Sequence, residues 1–415
     1  MPMIKDRDLY PKVRQHVEKK EYSIITGARQ VGKTTLVQKL FSELKQSGAD
    51  VFYVSFENAK ILHEINLDIE NLFRYAKRPE NPLLTGKRRR VIVIIDEIQY
   101  VNDPSNFLKY LFDTYQENLK IIATGSSAFY LDRKFRDSLA GRKRIFHLKP
   151  LSFAEFLSFR EATELRQELR RIRENEQYIS SFYNELLHYF NEYLIYGGYP
   201  KVVLENDVQE KENHLQELIS SFLKKDIYES KIEQEHKFYN LCSLLAAQIG
   251  QMVNKNELSH TLGLNQRTVE KYLYILQKCF YVDLVPPFYR NVRKEITKMP
   301  KVYFQDTGLR NRLLNRFYQI TDREDKGQLL ENYAWIRLNE LYPKDQIRFW
   351  RTPAQNEVDF VVTETFDAGQ AYEVKFSDNR FRPKSYKKFQ SNYPGYPLQC
   401  ISYDTAGRSI PILKI

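Results

Sequence analysis

The most constraining feature of the sequence is the segment Gly27–Thr34, which reads GARQVGKT and matches the phosphate-binding pattern G-x-x-x-x-G-K-[ST]. The mostly apolar run 22–26 before it predicts a short buried strand, and Leu36, Val37 and Leu40 follow it at helical spacing. Glycine permits a tight turn around phosphate, and the N–H groups at the start of a helix point toward the anion. The sequence therefore predicts a site for a nucleoside triphosphate.

The predicted contacts with ATP are consecutive residues of this loop and the start of the helix. They are Gly27, Ala28, Arg29, Gln30, Val31, Gly32, Lys33, Thr34 and Thr35. Lys33 is expected to reach the β- and γ-phosphates, and the Thr34 hydroxyl is expected to ligate Mg²⁺. A glycine turn with a chance lysine is the alternative, but strand, loop and helix follow in the required order.

A second acidic element completes the predicted ATP site. Residues 91–95 read VIVII, which is typical of a central parallel strand buried on both faces, and Asp96 and Glu97 follow it directly. Asp96 is expected to hold Mg²⁺ through water, and Glu97 is expected to polarise the attacking water. Two acids in a solvated loop are the alternative. The pair predicts ATP hydrolysis as well as binding.

Two further residues are candidates for a role in hydrolysis. Residues 120–124 predict a third strand, after which Ser126, with Thr124 as second choice, would lie beside the γ-phosphate as a sensor, as in the AAA+ class. A simple turn is the alternative. Arg142 could act as an arginine finger on a neighbouring subunit's ATP, because a planar guanidinium suits a phosphoryl transition state. A surface arginine is the alternative there.

Composition excludes several classes of protein. The chain has 415 residues, enough for two to three domains, and its apolar runs are only as long as strands, so no membrane span is expected. The first residues lack the apolar core of a secretory signal, and three distant cysteines indicate neither a zinc cluster nor a disulfide framework. The sequence predicts a cytosolic protein.

The net charge of +11 favours a polyanionic partner besides ATP. Basic residues cluster at 87–90, 142–144 and 380–388, and the last cluster includes Phe381, Tyr386 and Phe389, as on surfaces that bind nucleic acid. A solvated basic face is the alternative for each cluster.

The middle of the chain is predicted to be helical. Ser152 and Glu155 have the spacing of a capping box at the start of a lid-like helix, residues 160–190 have helical spacing, and Gly197–Pro200 marks a junction.

A helix-turn-helix follows this junction. Helices are predicted at 238–249, 256–262 and 266–279, with Gly263 in the turn, and the strands 281–285 and 301–304 would form a wing. Arg267, Lys271 and Arg293 are the candidates for DNA contact. The alternative is a winged helix that serves only as a structural subdomain.

The C-terminal segment contains a constellation of charged residues. Glu331 lies in a predicted helix, while Asp359, Glu373 and Lys375 lie in segments where apolar and charged residues alternate, as in strands. If the two strands form a hairpin, the carboxylates could hold Mg²⁺ and Lys375 could steady a hydroxide or the phosphate being cut. This pattern resembles the PD-(D/E)xK restriction-nuclease superfamily, and the resemblance implies a nuclease-like fold without establishing cleavage.

The whole chain resembles the AAA-family ATPases with a C-terminal domain called DUF4143. The matching segments are 27–34, 96–97, 124–127, 139–142, 150–156, 197–200, 306–310, 331–332, 357–360 and 373–375. The resemblance implies ATP hydrolysis. We therefore expect an α/β protein with a P-loop AAA+ parallel-sheet core at 1–150, a helical lid at 151–230, a winged helix-turn-helix at 231–305 and a restriction-nuclease-like α/β domain at 306–415.

These expectations lead to one main hypothesis and two alternatives. The first is a homo-oligomeric, DNA-associated ATPase whose ATP cycle controls the nuclease-like domain. The second is a signalling or scaffolding ATPase with a catalytically silent nuclease-like binding domain, and the third is a motor that grips branched DNA.

Overall fold

The computed structural model of the protein describes residues 5–80, 90–125, 139, 141–175, 177–230, 232–289, 291, 293, 295, 298–404, 407 and 409–415. The chain divides into two compact units. Unit one contains residues 1–150 and 278–280, and unit two contains residues 151–277 and 281–415.

Unit one is built around a parallel sheet with the strand order β2-β3-β4-β1-β5. The strands are β1 (Tyr22–Thr26), β2 (Val51–Ser55), β3 (Val91–Asp96), β4 (Leu119–Gly125) and β5 (Lys143–His147). The helices are α1 (Tyr10–His16), α2 (Lys33–Gln46), α3 (Ala59–Leu67) and α4 (Pro104–Tyr115). This sheet confirms the predicted parallel-sheet core.

The sheet order brings the candidate residues together. β1, β3 and β4 are buried along their whole length, as their apolar sequences predict. Because all three strands run parallel, the residues that follow their carboxyl ends meet at one edge of the sheet. The phosphate-binding loop follows β1, and Glu97 follows β3 at this same edge.

Unit two begins with a group of helices. They are α5 (Phe153–Phe159), α6 (Thr163–Glu174), α7 (Tyr183–Tyr196), α8 (Pro200–Leu204) and α9 (Val208–Ser230). The predicted capping box is present, because Ser152 Oγ accepts the Glu155 N–H at 3.2 Å and the Glu155 carboxylate accepts the Ser152 N–H at 3.0 Å.

The predicted junction at residues 197–200 is a close contact with a later segment. Gly197 has φ +77°, and a Cβ there would lie 2.3 Å from a carboxylate oxygen of Asp306. That carboxylate accepts the N–H of Gly198 at 2.7 Å and the N–H of Leu309 at 2.8 Å. Burial raises the pKa of Asp306 to about 6. The glycines are therefore required by close packing as well as by the turn.

Three helices and a strand pair follow in the order predicted for a winged helix. They are α10 (Glu235–Ala247), α11 (Lys255–Leu262), α12 (Gln266–Lys278), β6 (Val282–Val285) and β7 (Lys301–Phe304). Gly263 ends α11 with φ +58°, as the turn requires, and β6 and β7 pair antiparallel.

The remainder of unit two is a five-stranded sheet with the order β12-β11-β10-β9-β8. Its strands are β8 (Ile347–Arg351), β9 (Glu357–Thr365), β10 (Ala368–Ser377), β11 (Leu398–Asp404) and β12 (Ile410–Pro411). The helices are α13 (Thr307–Leu314), α14 (Lys326–Leu341) and α15 (Lys387–Asn392). β9 and β10 pair antiparallel, which confirms the predicted hairpin.

Within the described ranges, the helices are too short or too polar to cross a lipid bilayer.

Candidate functional site

The phosphate-binding loop has the backbone geometry that its sequence predicts. Gly27 approaches the backbone so closely that a Cβ would lie 2.0 Å from the Leu148 carbonyl oxygen. Gly32 has φ +96° and directly precedes α2. Both positions therefore need glycine, one for space and the other for its left-handed conformation.

Lys33 lies within the curve of this loop. Its side chain is buried, and Nζ donates to the carbonyl oxygens of Gly27 at 3.0 Å and Ala28 at 2.8 Å. The ammonium is thus held beside the loop backbone at the start of α2, where helix N–H groups attract anions.

Asp96 is the centre of a hydrogen-bond network at the sheet edge. Its carboxylate accepts the Thr34 hydroxyl at 3.1 Å and the Tyr53 hydroxyl at 2.9 Å, and it also accepts the Thr124 hydroxyl. Burial and the charge of Asp96 raise the pKa of Tyr53. These contacts join β2, β3 and β4 to the start of α2 around one carboxylate.

Glu97 is fixed by its backbone. It has φ +58°, an uncommon conformation for a residue other than glycine, and its N–H donates to Thr124 Oγ1 at 3.0 Å. Its carboxylate accepts the side-chain amide of Gln99. Such a conformation at the end of a buried strand is typical of functional sites.

The oxygens of Thr34 and Asp96 fit the requirements of Mg²⁺, which prefers hard oxygen ligands and is shared between protein and phosphate in such sites. The cation would neutralise charge on the phosphates.

Sequence reasoning missed Arg7. Its buried guanidinium donates to the carbonyl oxygen of Val31 in the loop at 2.6 Å and to that of Lys149 at 2.7 Å. The only sequence signal is a charged residue shortly before α1, which does not reveal a contact 24 residues away.

Ser126 and Arg142 were the two further candidates for a role in hydrolysis in unit one. Ser126 lies outside the described residues. Arg142 lies at the amino end of β1, where its carbonyl accepts the Tyr22 N–H at 2.9 Å, and its guanidinium contacts Asp113 at 2.8 and 3.3 Å. The phosphate-binding loop follows the opposite end of β1, and because the finger is predicted to act on a neighbouring subunit's ATP, it stays a prediction.

The basic clusters are partly structural. Arg90 donates to the carbonyl oxygens of Val17 at 3.0 Å and Lys19 at 2.6 Å, while residues 87–89 lie outside the described part of the chain. In the last cluster, Tyr386 and Phe389 are buried in a hydrophobic cluster of unit two. The prediction that these two aromatics belong to a nucleic-acid-binding surface is therefore wrong, because their rings pack in the core.

The C-terminal charged residues converge as the hairpin predicts. Asp359 Oδ2 accepts the Val374 N–H of the neighbouring strand at 2.9 Å, and Glu373 forms an ion pair with Lys375. Asp359 and Glu373 are both buried. Burial and the charge of Asp359 raise the pKa of Glu373, and the same two causes raise the pKa of Glu331.

Lys301 of β7 lies in the middle of this acid centre, which consists of Glu331, Glu357, Asp359, Glu373 and Lys375 together with Lys301. Its Nζ is 2.6 Å from Glu357, 2.8 Å from Glu331 and 3.5 Å from Asp359. Although burial disfavours the ammonium, the surrounding negative charges, with that of Glu331 the largest, raise the pKa of Lys301.

With its lysines in place, the acid centre offers no site for the predicted metal ion. Glu331 and Asp359, two of the predicted metal ligands, face Lys301, and the third, Glu373, faces Lys375. Across the described ranges, no three His, Cys, Asp or Glu side chains are arranged to hold a metal ion. The predicted nuclease metal therefore does not fit these residues as they are placed.

Three family models match successive segments of the chain. Residues 19–157 match an AAA domain, residues 187–319 match a domain of unknown function (DUF8612), and residues 326–408 match a second domain of unknown function (DUF4143). The AAA match contains the whole site around Asp96. The acid centre combines Lys301 from the DUF8612 segment with residues of the DUF4143 segment.

Two relatives whose names call them uncharacterized proteins match most of the chain. A protein of Methanocaldococcus jannaschii is 28% identical over 374 residues, which cover 86% of this chain and 76% of the relative. A protein of Haemophilus influenzae is 25% identical over 324 residues, which cover 76% of this chain and 73% of the relative. The solved structure of the ORC2 protein of Aeropyrum pernix in its ADP form is 15% identical, with 66% of this chain and 84% of that chain covered and a TM-score of 0.35.

Proposed function

Because the chain belongs to the AAA-family ATPases that carry a C-terminal DUF4143 domain, we propose that it hydrolyses ATP and couples hydrolysis to DNA bound by unit two. The observation that supports hydrolysis best is the network around Asp96. A strand-end carboxylate, the Thr34 hydroxyl and Thr124 meet beside Lys33 at one sheet edge.

Each residue then has a separate task at this edge. The N–H groups of residues 27–35 and the ammonium of Lys33 bind the phosphates. Thr34 and Asp96 hold Mg²⁺. Glu97 orients and polarises the attacking water, and Thr124 fixes the positions of both acids through its hydroxyl. ATP bound between subunits of a homo-oligomer is part of the same proposal.

Replacement of Lys33 tests nucleotide binding. We expect Lys33→Ala to weaken ATP binding about 10- to 100-fold, because a charged hydrogen bond to phosphate contributes about 1.5–3 kcal/mol. Binding of a fluorescent ATP analogue measures the effect. Lys45→Ala is the matched control, since Lys45 is exposed near the end of the same helix. Unchanged affinity in Lys33→Ala would place the nucleotide elsewhere.

The proposed DNA contact is the exposed face of α12. Arg267 and Lys271 are exposed on this helix, while Val269, Tyr272 and Leu273 are buried on its other face. Arg293, which is also exposed, follows β6 in the connection to β7. The face is basic despite Glu270, because Lys255 pairs with that carboxylate at 2.8 Å. A helix that follows a turn and carries such a face can enter the major groove.

DNA affinity is expected to depend steeply on salt. Since each phosphate contact contributes about 0.9 to the slope of log K against log salt, Arg267→Glu with Lys271→Glu should lower affinity and reduce the slope by about 2. Fluorescence anisotropy with duplex DNA measures both. The control is Arg170→Glu with Lys201→Glu, which changes net charge equally at exposed positions elsewhere in unit two. An equal loss of DNA affinity in both double variants would contradict a specific contact at α12.

The proposal takes two forms for the role of the C-terminal domain. In one form, the ATP cycle controls a domain that cuts DNA. In the other, the nuclease-like domain is catalytically silent and only binds. The ion pairs of Lys301 favour the second form, because they engage the carboxylates that a metal would need.

A further inference from the structure

We propose that Lys301 is the built-in cation of the acid centre and that its ammonium occupies the position of a divalent metal ion. The centre is then held together without Mg²⁺ and does not cut phosphodiester bonds. This deepens the silent form of the proposed function, and it is independent of ATP hydrolysis in unit one.

The distances around Lys301 are those of an ammonium with three carboxylates. Nζ lies 2.6, 2.8 and 3.5 Å from oxygens of Glu357, Glu331 and Asp359. A magnesium ion lies about 2.0–2.1 Å from its oxygen ligands, so one cation at this point excludes the other. Three carboxylates from α14 and β9 thus share a cation supplied by β7.

Burial fixes Lys301 in this position. Its side chain is 1% exposed, and Nζ also lies 5.5 Å from the centre of the Phe349 ring. The backbone of Lys301 pairs with Val285 of β6 at one end of the strand pair. To leave the centre, this buried side chain would have to break three ion pairs, which is strongly unfavourable.

The neighbours of Glu331 restrict it to the same place. The Tyr303 hydroxyl donates to Glu331 Oε1 at 2.6 Å, and a Cβ on Gly250 would lie 2.9 Å from Oε2. Tyr303 and Lys301 are two residues apart on β7, so one strand supplies both the cation and the hydroxyl that orient this carboxylate. Oε1 of this carboxylate therefore already accepts hydrogen bonds from both the Tyr303 hydroxyl and the Lys301 ammonium.

The remaining charges of the centre are also compensated by protein groups. Glu373 pairs with Lys375, and Arg351 contacts Glu357 at 2.9 Å. Lysines and an arginine therefore provide the positive charge that a nuclease site takes from metal ions. As a second consequence, Lys301 links β7 to α14 and β9, so the predicted wing and the nuclease-like sheet share one charged core.

Manganese binding tests this proposal directly. The 415-residue chain with Asp96→Asn, which removes a metal ligand of the proposed ATP site, is titrated with Mn²⁺, and free Mn²⁺ is measured by electron paramagnetic resonance. We expect no bound Mn²⁺ at the acid centre below about 1 mM. With Lys301→Met added, one equivalent should bind at least tenfold more tightly, and Mn²⁺ should raise the melting temperature.

Two variants in the same background serve as controls. The Lys301→Arg variant keeps a cation in the acid centre, so it should gain no Mn²⁺ site. Lys211→Met removes another buried lysine of unit two, which faces the single carboxylate Glu192, and it should gain none either. Asp359→Asn added to Lys301→Met should abolish the gained site.

Two outcomes would overturn the proposal. One is Mn²⁺ bound by the protein that retains Lys301 and lost with Asp359→Asn, a measurement that does not depend on the folding of any Lys301 variant. The other is a folded Lys301→Met variant that binds no Mn²⁺. Neither outcome affects ATP hydrolysis or DNA binding, which are measured separately with Lys33 and α12 variants.

Discussion

Glu97→Gln should retain ATP binding while its hydrolysis rate falls by about 10²- to 10⁴-fold, the usual contribution of a general base. The substitution keeps the shape of the side chain and leaves the contacts of Lys33, Thr34 and Asp96 in place. It removes only the charge that polarises water. Single-turnover hydrolysis and equilibrium binding of ATP, measured on the same preparation, separate the two effects.

Glu57→Gln is the matched control for this prediction. Glu57 follows β2 in the same unit, but it is exposed and does not contact Asp96 in the described hydrogen bonds. It should hydrolyse ATP at the wild-type rate. If Glu97→Gln also hydrolyses ATP at the wild-type rate, another residue activates the water and the role assigned to Glu97 is wrong.

The candidate nucleotide site was predictable because most of it is contiguous in sequence. The loop, Lys33 and Thr34 form one segment, and Asp96 and Glu97 end one apolar strand. Tyr53 and Arg7 could not be predicted, because the strand order and the position of the N-terminal segment bring them to the site. Thr124 carried a weak signal, a hydroxyl within a strand that is otherwise apolar.

The acid centre was predictable only in part, for a similar reason. Alternating charges revealed Asp359, Glu373 and Lys375 as strand residues on one hairpin. Lys301 was overlooked because it begins a strand assigned to a different segment, and sequence spacing does not show which sheets share a core. Its signal was a lysine at the start of the run KVYF, which is buried throughout. A charge in a buried strand requires a partner of opposite charge.

Asp325→Ala should destabilise unit two by about 3–5 kcal/mol, because it leaves buried guanidinium groups without their counterion. Asp325 contacts Arg323 through both oxygens, at 2.8 and 3.0 Å, and it also contacts Arg310. Although burial opposes ionisation, these two arginines lower the pKa of Asp325. Burial lowers the pKa of Arg310 to about 10, so this guanidinium depends on its carboxylate.

Urea unfolding followed by tryptophan fluorescence measures this loss. The chain has two tryptophans, Trp335 and Trp350, and both are buried in unit two. Asp322→Ala is the control, since Asp322 is exposed three residues earlier and should change stability by less than about 0.5 kcal/mol. A loss below about 1 kcal/mol in Asp325→Ala would mean that Arg310 and Arg323 are satisfied by their other partners.

A second measurement, on residues 151–415 alone, tests whether two matched segments of unit two fold together. Asp325 directly precedes the DUF4143 match, while Arg310 lies within the DUF8612 match. Arg310 also donates to the Ala246 carbonyl at 2.8 Å, which extends the network to α10. If these segments form one cooperative unit, the urea unfolding transitions of residues 151–415 followed by tryptophan fluorescence and by far-ultraviolet circular dichroism should coincide, and Asp325→Ala should shift both equally. Since Lys301 and Asp325 join the segments at two separate charged centres, a transition in which the DUF4143 segment unfolds alone would contradict this arrangement.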